Sequence, residues 1–257
     1  MFKDKFRRQR KYKMNYSHRI TSSKNPDLHF YIRPLTKLNL EASARFISQI
    51  YAKSLPTVLF FDVKEEDIFN YVYTHGQIGL DKGLSVVVYD EGDNIVGALF
   101  NDDLYEHSTL RAFNPKIIGS VALYNSKKVV FYSVPKDCPD LYHASQPGES
   151  ILLDLAAIAP HYAGHGILRN MTRFLINDHE QGKFARRFVI DSCVAAANKA
   201  NSAIGFEKVG EIHVEKFEDE KGNKPFNGIS QFMGKIGSPF NGTYYMLRFV
   251  RGIHKLL

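Results

Sequence analysis

Gly164 and Gly166 stand two residues apart inside the segment Leu152–Leu175, LLDLAAIAPHYAGHGILRNMTRFL. Before them, Ser150–Ala159 (SILLDLAAIA) is an apolar run that reads as a buried strand stopping at Pro160. After them, Ile167, Leu168, Met171, Phe174 and Leu175 recur at helical spacing, predicting an amphipathic helix over Gly164–Glu180. Glycines let a backbone come close to a ligand. First-turn amides of a helix have no intrahelical acceptor, and with the positive end of the helix dipole they suit a pyrophosphate. The chemistry this spacing offers is therefore anion binding. A Walker loop needs Gly-Lys-Ser/Thr, and Ile167-Leu168 follows Gly166 instead. A dinucleotide fingerprint needs three glycines near the first strand of a βαβ unit, and this loop lies past the middle of the chain. From the loop alone, an anion cradle and an ordinary strand-to-helix turn both remain open.

The elements that would position this loop follow from the rest of the pattern. His29–Leu35 is predicted as a first strand, stopped by Pro34. Leu40–Ala52 carries Leu40, Ala44, Ile47 and Tyr51 at helical spacing, and a second helix is expected over Lys64–Tyr73. Leu84–Asp90 and Asn94–Phe100 read as two strands of a hairpin turning at Glu91–Asp93. Asn101–Ser150 holds Pro115, Pro135, Pro139 and Pro147 and one β-rich run, Val129–Val134; it is too long for a plain connection and is expected to have structure of its own. Arg187–Ser192, Phe206–Phe217 and Thr243–Val250 read as further strands, with a short helix over Asn198–Ala203. Strands and helices mix and the first hairpin is antiparallel, which predicts an α/β domain with a mixed sheet.

The chain has 257 residues with 44% hydrophobic and 24% charged content, enough for a globular core. Its formal net charge is +7, much of it in Met1–Lys13, where Lys3, Lys5, Arg7, Arg8, Arg10, Lys11 and Lys13 face one acid, Asp4. Residues 1–27 are expected to be a basic, flexible extension, dispensable for the fold, and 28–257 one domain with an insertion at about 101–150. Such a tail can touch nucleic acid or an anionic membrane, or simply be solvated. The remainder is near charge balance, which argues against a dedicated nucleic-acid surface. No apolar run reaches the roughly 18 to 20 residues of a membrane span, and the charged start has no apolar stretch behind it to make a secretory signal. Cys138 and Cys193 are too few and too far apart for a disulfide framework or a metal site, so a cytoplasmic setting and no metal are expected.

The run Ile158-Ala-Pro160-His-Tyr162-Ala163-Gly164-His165-Gly166-Ile167 resembles the coenzyme-binding motif of GNAT acetyltransferases, for which Val-x-Pro-x-Tyr-Arg-Gly-x-Gly-Ile is typical. The resemblance extends to Gly83–Asp103, similar to the second and third strands of that superfamily, and to Ile204–Phe226, similar to the C-terminal part of the animal arylalkylamine N-acetyltransferases. The pieces occur in the same order over roughly Tyr31–Phe226, with a poor fit across Asn101–Ser150. The resemblance implies a GNAT fold: a mixed, mostly antiparallel twisted sheet of about seven strands flanked by helices. It implies acetyl-CoA as cosubstrate, held by Ile158, Ala159, Ala163, Gly164, His165, Gly166, Ile167 and Leu168, with Asn198 and Asn201 near it. It also shows departures. Ala163 stands where the superfamily has Arg or Gln. Leu168 stands where Gly or Ala is usual. Lys53-Ser54-Leu55-Pro56 lacks the Glu of insect-type arylalkylamine enzymes, and Ile204 precedes the Gly-Phe pair where a Tyr often stands.

The implied reaction is direct transfer of acetyl to an amine, small (an arylalkylamine or polyamine) or on a protein N-terminus or lysine. A coenzyme-binding module without turnover is the further alternative. The amine must lose a proton to attack. The thioester oxygen needs a donor, implied to be a strand amide near Ile158. The leaving thiolate needs a proton, for which Ser202 is the best-placed hydroxyl. For the base the candidates are Asp154, Glu65, Glu66, His161 and Asp191. Asp154, in an apolar strand that runs into the loop, either relays a proton or is paired structurally. Glu65 and Glu66 equally favour a helix N-terminus. His161 and His165 are candidates by residue type, but loop histidines are often bystanders. Asn198 and Asn201 equally suit helix capping, and Cys193 suits a buried apolar position.

Overall fold

A computed structural model describes residues 17–106, 146–177, 185, 187–218, 222–240 and 242–250. The elements run β1 (His18–Thr21), β2 (His29–Pro34), α1 (Leu40–Ser54), α2 (Pro56–Phe60), α3 (Glu65–Gly79), β3 (Val86–Tyr89), β4 (Ile95–Asp103), β5 (Ser150–Ile158), α4 (Ile167–Asn177), β6 (Arg187–Ser192), α5 (Ala195–Ser202), β7 (Glu207–His213), α6 (Ile229–Lys235) and β8 (Thr243–Val250). The eight strands form one sheet in the order β1-β2-β3-β4-β5-β6-β8-β7. Every neighbouring pair is antiparallel except β5 and β6. The expected mixed, mostly antiparallel sheet is present, with eight strands where about seven were expected.

The additional strand is β1. It lies within the stretch expected to be a flexible extension, and it pairs with β2 from His18↔Ile32 to Thr21↔His29. The domain therefore begins by His18 and not at 28. Ile20 explains why: it is buried against the apolar face of the sheet, so a four-residue run inside a polar stretch has an apolar anchor. Residues 1–16, with the basic cluster, lie outside the described residues. So do 107–145, which carry most of the expected insertion, including Val129–Val134. Helices α2 and α6 were not expected from the sequence. No helix among the described residues is long and apolar enough to cross a membrane.

The helices cover both faces. On one, α4 lays Ile167, Met171, Phe174 and Leu175 against Phe30, Val88, Leu99, Leu153 and Phe188. Burying side chains of that size contributes roughly 1.5 to 3 kcal/mol each, which fixes the helix and hence its N-terminal loop. On the other face, α1 and α3 cover Val87, Ala98, Phe100, Leu155 and Ala157. Near β8, α6 packs Ile229 and Met233 with Leu152, Val189, Phe226 and Tyr244.

Two irregularities shape the middle of the sheet. The parallel pairing of β5 with β6 covers only Ser150↔Arg187, Ile151↔Phe188 and Leu152↔Val189. Beyond that, β5 stays on β4 up to Gly97↔Ile158 while β6 stays on β8 up to Ser192↔Tyr245. The sheet thus splits at its centre. The second irregularity is a bulge: Phe100 pairs with Leu155 and Asn101 with Leu153, which makes Asp154 the extra residue of β5. The extra residue reverses the alternation of β5. Ile151 and Leu153 face α4 before it, and Leu155 and Ala157 face α1 and α3 after it.

Candidate functional site

The split between β5 and β6 opens toward the glycine loop that leads into α4. Three features bring the helix start to this point. Ala159 N–H donates to Val96 O at 2.9 Å and ends the β5 ladder. Pro160–Tyr162 forms one turn of 3-10 helix. Gly97 then lets the first residue of α4 rest on the sheet: a Cβ there would stand 3.1 Å from Ile167 Cγ2 and 3.2 Å from Ile158 Cδ1. Gly164 and Gly166 both have positive φ, +80° and +82°, a region that side chains with a Cβ disfavour.

The amides of this loop divide into two groups. Those of Ala159, Ala163 and His165 are already bonded, to Val96 O, Pro160 O and Tyr162 O. Those of Gly164, Gly166, Ile167 and Leu168 find no acceptor among the described residues. Asn170 N–H to Gly166 O at 3.0 Å is the first bond of the helix, so Ile167 and Leu168 carry the open donors of its first turn. Four open donors thus lie within five consecutive residues at the positive end of an 11-residue helix. The strand adds another donor. Because Ala159 N–H points at β4, antiparallel alternation turns the amides of Ala156 and Ile158 the other way, toward the split.

Around the loop sit residues the sequence pattern did not single out. Lys24 Nζ donates to Ala163 O at 2.7 Å. Arg169, in the first turn of α4, holds a guanidinium nitrogen 3.5 Å from where a Cβ on Gly166 would stand. Two cations thus flank a loop that has none of its own. Tyr51 on α1 donates its hydroxyl to Ala156 O at 3.2 Å, at the split edge of β5. The Lys24 and Tyr51 contacts join positions 139 and 105 residues apart, and no local pattern reveals them.

The expected acid–base residues are dispersed. Asp154 is turned to the α3 face, its side chain 4% exposed, with Oδ2 3.7 Å from His75 Nε2; its distance from the split is set by the bulge. Glu65 is exposed in the first turn of α3, and Glu66 is 3.8 Å from Arg45. His161 is exposed and stacks obliquely on Tyr162 at 4.2 Å between ring centroids. Ser202 is exposed at the last residue of α5. The side chain of Asp191 is outside what the structure describes. Cys193 is half-buried and in no disulfide among the described residues. Asn198 is half-buried, with an Oδ1 that has no hydrogen-bond partner among the described residues.

Asn201 differs from its expected place beside the coenzyme. It is buried, its Oδ1 accepts from Thr172 on α4 at 3.4 Å, and its backbone carbonyl accepts from Ile204 and Phe206. At that depth its side chain ties α4 to α5.

No family model and no curated protein matches the sequence. Solved structures do match in shape. A putative arylalkylamine N-acetyltransferase 7 from the yellow fever mosquito Aedes aegypti superposes with a TM-score of 0.66 at 15% identity, over 93% of this chain and 97% of that one. The C-terminal condensation domain of Ebony, in complex with beta-alanyl-dopamine, gives 0.62 at 15% identity over 87% and 99%. A Drosophila melanogaster polyamine N-acetyltransferase gives 0.57 at 10% identity over 86% and 99%. At such identities the likeness establishes the fold, and the fold is that of the GNAT acetyltransferases.

Proposed function

We propose that this chain, having the GNAT fold, moves the acetyl group of acetyl-CoA to a primary amine. The carrying observation is the set of unpaired amides at Gly164, Gly166, Ile167 and Leu168, placed where β5 and β6 part. This cradle fits a pyrophosphate: the donors have no internal acceptor, Cβ-free residues line it at Gly164 and Gly166, and two cations stand beside it. Acetyl-CoA, when bound, supplies an activated acetyl thioester. The chain's part is to hold the phosphates on these amides, to aim the Ile158 amide at the thioester oxygen, and to admit an amine along the split. The acceptor class that suits the resemblance is a small arylalkylamine or polyamine, in a cytoplasmic setting.

Asp154 and His75 give a proton a buried acceptor behind β5, reached from the split through water. That both side chains are shut against α3 favours a second reading, a coenzyme-binding module without turnover. Calorimetric titration with acetyl-CoA tests the shared part, and thiol release across amines and peptides separates the two readings. Absence of acetyl-CoA binding overturns both. Binding without thiol release from any acceptor leaves the second.

A further inference from the structure

Three consecutive carbonyls of the glycine loop, those of Ala163, Gly164 and His165, are taken by one short turn far away in sequence. After β1, the chain bends through Ser22–Asn25 before β2. Ser23 N–H donates to His165 O at 3.0 Å, Ser23 Oγ donates to Gly164 O at 3.1 Å, and Lys24 Nζ donates to Ala163 O at 2.7 Å. Ser22 Oγ lies 2.8 Å from His165 Nδ1. That hydroxyl oxygen already accepts from the amides of Lys24 and Asn25, each at 3.1 Å. With its lone pairs engaged by those amides, the hydroxyl has its proton left for Nδ1. The ring is further seated by Phe30, edge-on at 6.4 Å between centroids.

The consequence concerns the other side of the same peptides. A peptide whose carbonyl is held cannot rotate, so its amide direction is held too. Three consecutive carbonyls, Ala163, Gly164 and His165, are fixed from the turn, and the N–H groups of those same peptides belong to Gly164, His165 and Gly166. Two of these are open donors of the cradle. Flexible glycines at both positions would otherwise let these peptides flip at little cost. The turn also brings the Lys24 ammonium over the loop with two further N–H groups available, beside Ala163, which has no charge to offer.

We propose that Ser22, Ser23 and Lys24 are positioning residues for the coenzyme: they lock the glycine loop with its amides turned to the phosphates, and Lys24 adds a cation there. This rests on the acetyl-CoA reading above and adds to it a requirement for a segment outside the loop. It also gives a binding role to residues before 28, a stretch whose composition reads as a flexible extension.

The test uses the full chain with Ser22→Ala and Lys24→Met, singly and together, and Lys24→Arg as the conservative control. Dissociation constants are measured for acetyl-CoA and for S-acetylpantetheine, which lacks the pyrophosphate, and amide exchange of Ser23 is followed without any ligand. The double variant, folded by circular dichroism, should lose roughly tenfold to hundredfold in acetyl-CoA affinity, as expected for two bonds of which one is charged. S-acetylpantetheine affinity should hold, Lys24→Arg should restore most of the acetyl-CoA affinity, and Ser23 exchange should accelerate. Equal acetyl-CoA affinity in parent and double variant overturns the proposal, as does an equal loss for both ligands. If the parent itself does not bind acetyl-CoA, the functional reading falls. The holding of the loop is then judged on Ser23 alone, and unchanged exchange overturns it.

Discussion

His75 Nε2 on α3 lies 3.7 Å from Asp154 Oδ2 on β5, with side chains 7% and 4% exposed. The separation is beyond hydrogen-bond length, yet it joins the bulged residue of the central strand to the helix covering it. Asp154→Ala removes one buried polar neighbour of His75 and should destabilise the fold by about 1 to 3 kcal/mol, measured by urea unfolding. Asp154→Asn keeps the volume, and it should lower turnover more than acetyl-CoA affinity if the carboxylate takes the proton. Parent-like turnover in Asp154→Asn removes Asp154 from the reaction.

Valine at Gly164 or Gly166 meets two obstacles. Each site has a positive φ that disfavours a β-branched residue by roughly 1 to 2 kcal/mol. Each Cβ would also press on the turn: 2.9 Å from Lys24 Nζ at Gly164 and 3.2 Å from Ser23 Oγ at Gly166. The double valine variant should stay folded, because α4 is anchored by its apolar face, and should lose acetyl-CoA binding in calorimetry. A folded variant with parent affinity would remove the loop from the binding site.

At the far end of β4, Asp102 is shut from solvent and paired with Lys82, whose side chain is 19% exposed. Removing one member of a buried pair typically costs about 3 to 5 kcal/mol, whereas replacing both with apolar groups is often near neutral. Asp102→Ala should fall toward the low end of that range, since Lys82 keeps some water contact. Asp102→Leu with Lys82→Met should recover most of the loss. Chemical denaturation of the three proteins decides it, and a double variant no better than the single one would contradict the account.

In the β3–β4 turn, desolvation pushes the Asp90 carboxyl up, but hydrogen bonds from Asn94 and Gly92 outweigh it and hold the group below its ordinary value. A carboxyl depressed in the folded state stabilises the fold above its unfolded pKa, and that contribution is lost as pH falls through the folded value. The stability gap between parent and Asp90→Ala should therefore be full at pH 7 and shrink below about pH 3.9. Urea titrations at pH 7 and pH 3 should show it; an equal gap at both would mean the carboxylate's charge plays no part.

The sequence by itself determined most of the elements and the glycine loop. Alternating and buried β runs located β2 through β8 within a few residues, the spacing of Ile167, Met171, Phe174 and Leu175 gave α4, and the glycines at 164 and 166 marked a turn where open amides meet a helix N-terminus. These signals are local, because periodicity and backbone freedom are properties of neighbouring residues. Only the tertiary structure decided what surrounds the cradle. His18–Thr21 is too short and polar to read as a strand until Ile20 finds the core. Asn201 was in view as a coenzyme contact or a helix cap, but its bond with Thr172 on α4 was not. Asp154 was in view from the sequence, but its partner His75 and the bulge that turns it from the split were not. The contacts of Ser22, Ser23 and Lys24 with the loop span 139 to 143 residues. Such pairings follow from strand order and register, and those are fixed by the packing of the whole sheet and not by any stretch of chain within it.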